Sequence, residues 1–134
     1  MTREAFMKVL GKNKIHFMEE GGRLIVGRVN FGSTEVSNFG SGYISFYELG
    51  IDSMPPNVTF DNSGHVQLGA LKEIPEGVFF DNEGVVYMFS VSRITRGTRF
   101  GKWVRGVILS GGVIDFGIRQ INYGDLLTAT FKYT

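Results

Sequence analysis

The chain has 134 residues, 43% hydrophobic and 13% aromatic, which suits one domain with a modest core and argues against intrinsic disorder. It contains no cysteine, which excludes a disulfide framework and a thiolate metal site. The net charge of +1 is unevenly placed: residues 1–83 carry 7 Lys/Arg and 11 Asp/Glu (net −4), whereas residues 84–134 carry 7 and 2 (net +5). Such asymmetry points to an anionic partner or to self-association. The N-terminus is charged from its third residue and lacks an apolar signal core. No run reaches the length of a membrane span. The expectation is a soluble, cytoplasmic protein with no membrane partner.

In chain order, Thr2 to Leu10 reads as a short helix. Thr2 can cap it, Phe6, Met7 and Leu10 share one side at helical spacing, and Gly11 can supply a left-handed stop. No further helical period follows. Instead a glycine is repeatedly followed, at every second position, by apolar residues. Gly22 leads to Leu24 and Val26, Gly42 to Ile44 and Phe46, Gly64 to Val66 and Leu68, Gly84 to Val86 and Met88, and Gly106 to Ile108. Period-two alternation puts these side chains on one sheet face, and each glycine supplies a corner that a Cβ would enter at a cost. Leu71 and Val91 follow at equal offsets, as do Val29 and Leu49 in the first two units.

The stretches Met54-Pro55-Pro56-Asn57-Val58-Thr59-Phe60-Asp61-Asn62-Ser63-Gly64 and Ile74-Pro75-Glu76-Gly77-Val78-Phe79-Phe80-Asp81-Asn82-Glu83-Gly84 are near-copies at a 20-residue offset. A fixed short period implies a mainly β fold: an irregular β-solenoid or stacked β-sheet repeat with a short N-terminal helical cap. Phe60 and Phe80 then stack in successive coils. The alternative is an antiparallel meander or sandwich, in which Asp61–Gly64 and Asp81–Gly84 are hairpin loops and Val58/Phe60 pair with Val66/Leu68. The near-constant spacing of the apolar rows favours the solenoid. The chain reads as a single domain, 1–134, divided into a helical cap (1–11), β repeats (12–92), and a divergent basic segment with a C-terminal strand (93–134). That strand, Leu127 to Thr134, alternates cleanly and either closes the end or pairs with another chain as a homo-oligomer edge.

The repeats IPEGVFFDNEGVVYM and MPPNVTFDNSGHVQL, with the lead-in NKIHFMEEGGRLIVG at 13–27, resemble short repeats in small, mostly uncharacterised proteins of tailed phages and bacteria. The resemblance covers roughly residues 1–92 and ends after Ile94, where the Pro and the Asp-Asn pair vanish. It implies a stacked β fold and a phage origin, and it carries no catalytic residues with it.

The most function-like feature is the segment from Ser92 to Gly106. Arg93, Arg96, Arg99, Lys102 and Arg105 recur every third residue, with Phe100 and the sole tryptophan, Trp103, between them. No acid occurs between Glu83 and Asp115. Cations contact phosphates, aromatic faces stack on bases, and Arg suits bidentate recognition of phosphate or carboxylate. A period of three fits neither helix nor strand. On one regular strand Arg93, Arg99, Arg105 and Trp103 would oppose Arg96 and Lys102. The blander readings are a solvated face, or pairing across subunits with the acidic run Glu73, Glu76, Asp81 and Glu83.

Other candidates are weaker. Two Asp-Asn pairs are explained by turn formation, not calcium. His16 and His65 lack metal-ligand or triad context, and Gly21-Gly22 and Gly111-Gly112 lack the rest of a phosphate loop. Tyr43, Phe46, Tyr47, Tyr87 and Phe89 fit the apolar row badly, so some must face outward. The expectation is a non-enzymatic binding protein without cofactor or metal. Its partner is anionic (nucleic acid, a nucleotide or an acidic protein surface). A phage origin would suit an inhibitor of a nucleic-acid-dependent host defence. A self-assembling repeat protein is the alternative.

Overall fold

The computed structural model describes residues 1–27, 43–95, 97–109 and 112–114. Its first element is helix α1 (Arg3–Lys12), capped by Thr2, whose Oγ1 accepts from the Ala5 N–H at 3.1 Å. Phe6 and Leu10, one turn apart on the same side, are fully buried. The helix runs past Gly11, so the expected glycine stop is corrected. Ile15 N–H donates to Leu10 O at 2.9 Å and Lys14 N–H to Gly11 O at 3.1 Å, and Lys14 takes the left-handed conformation at φ 61°. That is a Schellman closure with lysine in the usual glycine place.

Beyond the helix the chain is a β-solenoid of about three turns with three faces. The first face joins β1 (Phe17–Glu20), β2 (Arg23–Val26), β4 (Val58–Phe60), β7 (Phe79–Phe80) and β10 (Arg99–Phe100), in that order. The second joins β12 (Gly112–Ile114), β11 (Gly106–Leu109), β8 (Val85–Met88), β5 (Val66–Gln67) and β3 (Ile44–Ser45). The third pairs β6 (Glu73–Ile74) with β9 (Arg93–Ile94). All coil-to-coil pairings are parallel. β1 closes against β2, and β12 against β11, as antiparallel flanks. Parallel pairing of β4 with β7 and of β5 with β8 overturns the meander: the Asp-Asn segments turn the chain from the first face to the second instead of folding it back.

The core is a column of inward apolar side chains. Phe60, Phe80 and Phe100 stack with centroids 5.3 and 5.2 Å apart and interplanar angles of 8° and 14°. This matches the strand spacing of about 4.8 Å that register imposes on equivalent side chains. Phe46 continues the column at 5.9 Å from Phe60, and Phe6 of α1 meets Phe46 edge-on at 5.9 Å. The helix therefore caps the first coil by inserting an aromatic ring. Leu71 and Val91, predicted from their equal offsets, are both buried.

Three expectations are corrected. Leu24 and Val26 pair with Val58 and Phe60 on the first face, so the unit at Gly22 is not equivalent to that at Gly42. Each coil holds two alternating strands, and the sequence pattern does not say which face a strand joins. Val107, not Ile108, stacks inward on Val86, because the last corner is one residue longer. Phe46 opens a short helix, α2 (Phe46–Leu49), capped by Ser45 Oγ accepting from the Glu48 N–H at 3.2 Å. Phe46 is buried all the same. Gly42, Val29 and the strand at 127–134 lie outside the described residues.

Of the glycines that lead into strands, Gly84 matters through close approach, whereas Gly22 faces open space and matters through its positive φ of 81°. A Cβ on Gly84 would lie 3.0 Å from the backbone carbonyl of Gly64 and 2.7 Å from His65 Nδ1. The coils touch there at backbone distance.

Candidate functional site

The predicted basic segment does not lie on one strand; it wraps the last coil. Arg93 sits on the third face, where its Nε is 3.8 Å from Glu73 Oε2. Both side chains are largely exposed, so the pair contributes little stability. It does divert one of the five cations, and one acid of the acidic run, into an intramolecular contact. Arg99 leaves the outer side of the first face, with its guanidinium carbon 4.4 Å from the Phe79 ring centroid. Lys102, Trp103 and Arg105 occupy the corner between β10 and β11. Arg96 lies outside the described residues. The expected grouping of Arg93, Arg99, Arg105 and Trp103 against Arg96 and Lys102 is thereby corrected: a chain that turns two corners within this segment has no single strand face.

The corner itself changes character along the solenoid. In the second and third coils it is Asp61-Asn62-Ser63-Gly64 and Asp81-Asn82-Glu83-Gly84. Asn82 is fully buried and its Nδ2 donates to Gly64 O, one coil back, at 2.9 Å. The Asp-Asn pairs are thus structural, as turn chemistry suggested. In the last, partial coil the equivalent stretch is Gly101-Lys102-Trp103-Val104-Arg105. Val104 N–H closes a turn onto Gly101 O at 3.2 Å and Val104 is buried, while Arg105 N–H bonds Gly84 O at 2.9 Å. This anchoring pushes Trp103 outward to 49% exposure, with Lys102 Nζ 5.3 Å from its ring centroid. An acidic corner has become a cationic one with a projecting indole.

The structure adds two residues that sequence reasoning missed. Arg23 lies on the outer side of the first face. Its Nε donates to Thr59 Oγ1 at 2.9 Å, and its Nη2 to Val58 O at 3.3 Å and Gly77 O at 2.5 Å. Arg3 of α1 donates to Glu19 Oε2 at 3.0 Å and to Gly22 O at 2.7 Å. Burial, then the charge of Arg99, then that of Arg3 hold the Arg23 guanidinium below the usual arginine value. Three cations from residues 3, 23 and 99 thus share one electrostatic neighbourhood. The 20-residue period puts Thr59, Phe79 and Arg99 in one column. Nothing local in the sequence adds Arg23, which stands 34 residues before Asn57, its neighbour in register.

The second face carries the outward aromatics. Tyr43 and His65 meet edge-on at 6.3 Å, His65 and Tyr87 at 5.8 Å, and Tyr87 stacks on Phe89 at 5.7 Å. Tyr43, Tyr47 and Phe89 are exposed. His65 Nδ1 accepts from the Val85 N–H at 2.8 Å, which fits a satisfied structural histidine.

Among the described residues no cluster of three or more His, Asp or Glu is placed to hold a metal ion, and no helix is long and apolar enough to cross a membrane. The class that fold and site define is a short β-solenoid with one cationic, aromatic corner. Compared with protein-family models, with curated proteins and with solved structures, the chain matches none.

Proposed function

We propose that the protein binds single-stranded nucleic acid, or a nucleic-acid-bearing complex, through the outer surface of its last coil and acts by occupancy instead of by chemistry. The observation that carries this reading is the replacement of an Asp-Asn-x-Gly corner by Gly101-Lys102-Trp103-Val104-Arg105, which presents a half-exposed indole between cations. An aromatic face supplies sequence-tolerant stacking, and flanking cations meet the phosphates. Arg99, already ordered on Phe79, extends the cationic track onto the first face. In a phage setting, which the repeat resemblance suggests, such a protein would suit an inhibitor that competes for a host defence's nucleic-acid site in the host cytoplasm.

Binding of a fluorescently labelled single-stranded oligonucleotide to wild type, Trp103→Ala and Lys102→Glu/Arg105→Glu, followed by anisotropy, tests the reading. Trp103→Ala should weaken binding by about 5- to 100-fold, in line with about 1–3 kcal/mol per stacked base. The double charge reversal should weaken it further and flatten its salt dependence. Equal affinities for all three proteins would remove the proposal. The aromatic strip on the second face favours a second reading, self-association through that face. Light scattering that stays at monomer mass at high concentration would remove it.

A further inference from the structure

An arginine carries five N–H donors in a planar fork. Arg23 commits Nε and Nη2 to Thr59, Val58 and Gly77. Its strand belongs to the first coil and its acceptors to the second and third, so the guanidinium is strapped across the coils and cannot swing away. Among the described residues no acceptor meets Nη1. Arg99 comes from the other end of the same face and lies over Phe79, the neighbour of Thr59 in register. Arg3 approaches from α1, where Glu19 compensates it. Among the described residues no carboxylate bonds Arg23 or Arg99. A fixed fork with two further arginines on the same side of the fold, and no carboxylate bonded to Arg23 or Arg99 among the described residues, make a site suited to an anion.

We infer that Arg23 Nη1, flanked by Arg99 and Arg3, forms a binding site for a phosphate group. Phosphate suits it better than a carboxylate: three guanidinium groups match the higher charge and the several acceptor oxygens of phosphate. The ligand is a free phosphate or the phosphodiester of a bound strand; for the second source the inference rests on the nucleic-acid reading above. Burial first, then the charges of Arg99 and Arg3, depress the basicity of Arg23, and an anion would offset the two charge contributions.

The test is titration with inorganic phosphate at constant ionic strength, read by thermal unfolding, for wild type, Arg99→Gln, Arg23→Lys and Lys72→Gln. Wild type should show a saturable rise in Tm. Arg99→Gln removes no hydrogen bond of the fold and should raise the apparent Kd by about tenfold. Arg23→Lys keeps the charge, loses the fork and should do likewise. Lys72→Gln, an exposed lysine elsewhere on the solenoid, should behave as wild type, which separates a site from net charge. No saturable response in wild type, or one that survives both arginine substitutions, would overturn the inference. Trp103 fluorescence with an oligonucleotide is recorded in parallel. Oligonucleotide binding without a phosphate response overturns the phosphate site and leaves the nucleic-acid reading standing. A site-dependent phosphate response without oligonucleotide binding supports the site and removes that reading.

Discussion

Phe80→Ala is expected to lower the unfolding free energy by about 3–5 kcal/mol, measured as a shift of the urea midpoint at unchanged m-value. Phe80 is fully buried and lies between Phe60 and Phe100 with near-parallel rings on both sides. Truncation opens a cavity in the middle of the column and removes both ring contacts. The flanking phenylalanines are held in register by β4 and β10, so they cannot collapse into the space without shifting a coil. A domain of this size has a total stability on the order of 5–15 kcal/mol, so the loss is a large fraction of it. Phe80→Leu should lose less, because it retains most of the buried volume. If Phe80→Ala lost under about 1 kcal/mol, the continuous aromatic column would not be the element that holds the coils together.

Gly27→Ala is the second large effect, at about 2–4 kcal/mol, from left-handed strain together with overpacking. Gly27 follows β2 at φ 97°, and a Cβ there would lie 2.7 Å from Asn62 Cβ and 3.0 Å from Asp61 O. The surrounding backbone is pinned: Gly27 N–H donates to His16 O and Asp61 N–H to Val26 O, both at 2.8 Å. Relief would require moving the first Asp-Asn corner off the first coil. The expected readout is a lower Tm with wild-type far-ultraviolet circular dichroism at low temperature. Wild-type thermal stability would contradict the described seating of that corner.

Much of the fold was legible because a solenoid writes its stacking into the chain as a period. Pro, Val, Phe, Asp, Asn and Gly in register over 54–64 and 74–84 located two coils and paired Phe60 with Phe80. Phe100 belongs to the same column, but its coil lost the Pro and the Asp-Asn corner, so the repeat signal faded while the strand pairing continued. The first coil was misassigned for the opposite reason. Leu24-x-Val26 carries the same alternation as Ile44-x-Phe46, yet the two stretches lie on different faces. Alternation reports burial on one side and not which sheet a strand joins.

The candidate site was legible in its residue types and not in its arrangement. Arg99, Lys102, Trp103 and Arg105 were marked by composition, and three of them do share a corner. Arg93 was marked equally and lies on another face with Glu73. Arg23 was invisible because its partners, Thr59, Val58 and Gly77, are set by coil stacking at separations of 35 to 54 residues.

In the proposed function the last coil presents Trp103 and its neighbouring cations to a nucleic-acid strand. Fluorescence of this single tryptophan, titrated with single-stranded and duplex oligonucleotides at several salt concentrations, tests it most directly. The expected result is a change that saturates with single strands, at lower concentration than with duplex. Affinity should fall with salt at a logarithmic slope of about −2, the value for three phosphate contacts made by Arg99, Lys102 and Arg105. The change should vanish when these three are replaced by Glu. No response at the lowest salt, or a response that survives the triple charge reversal, would contradict it.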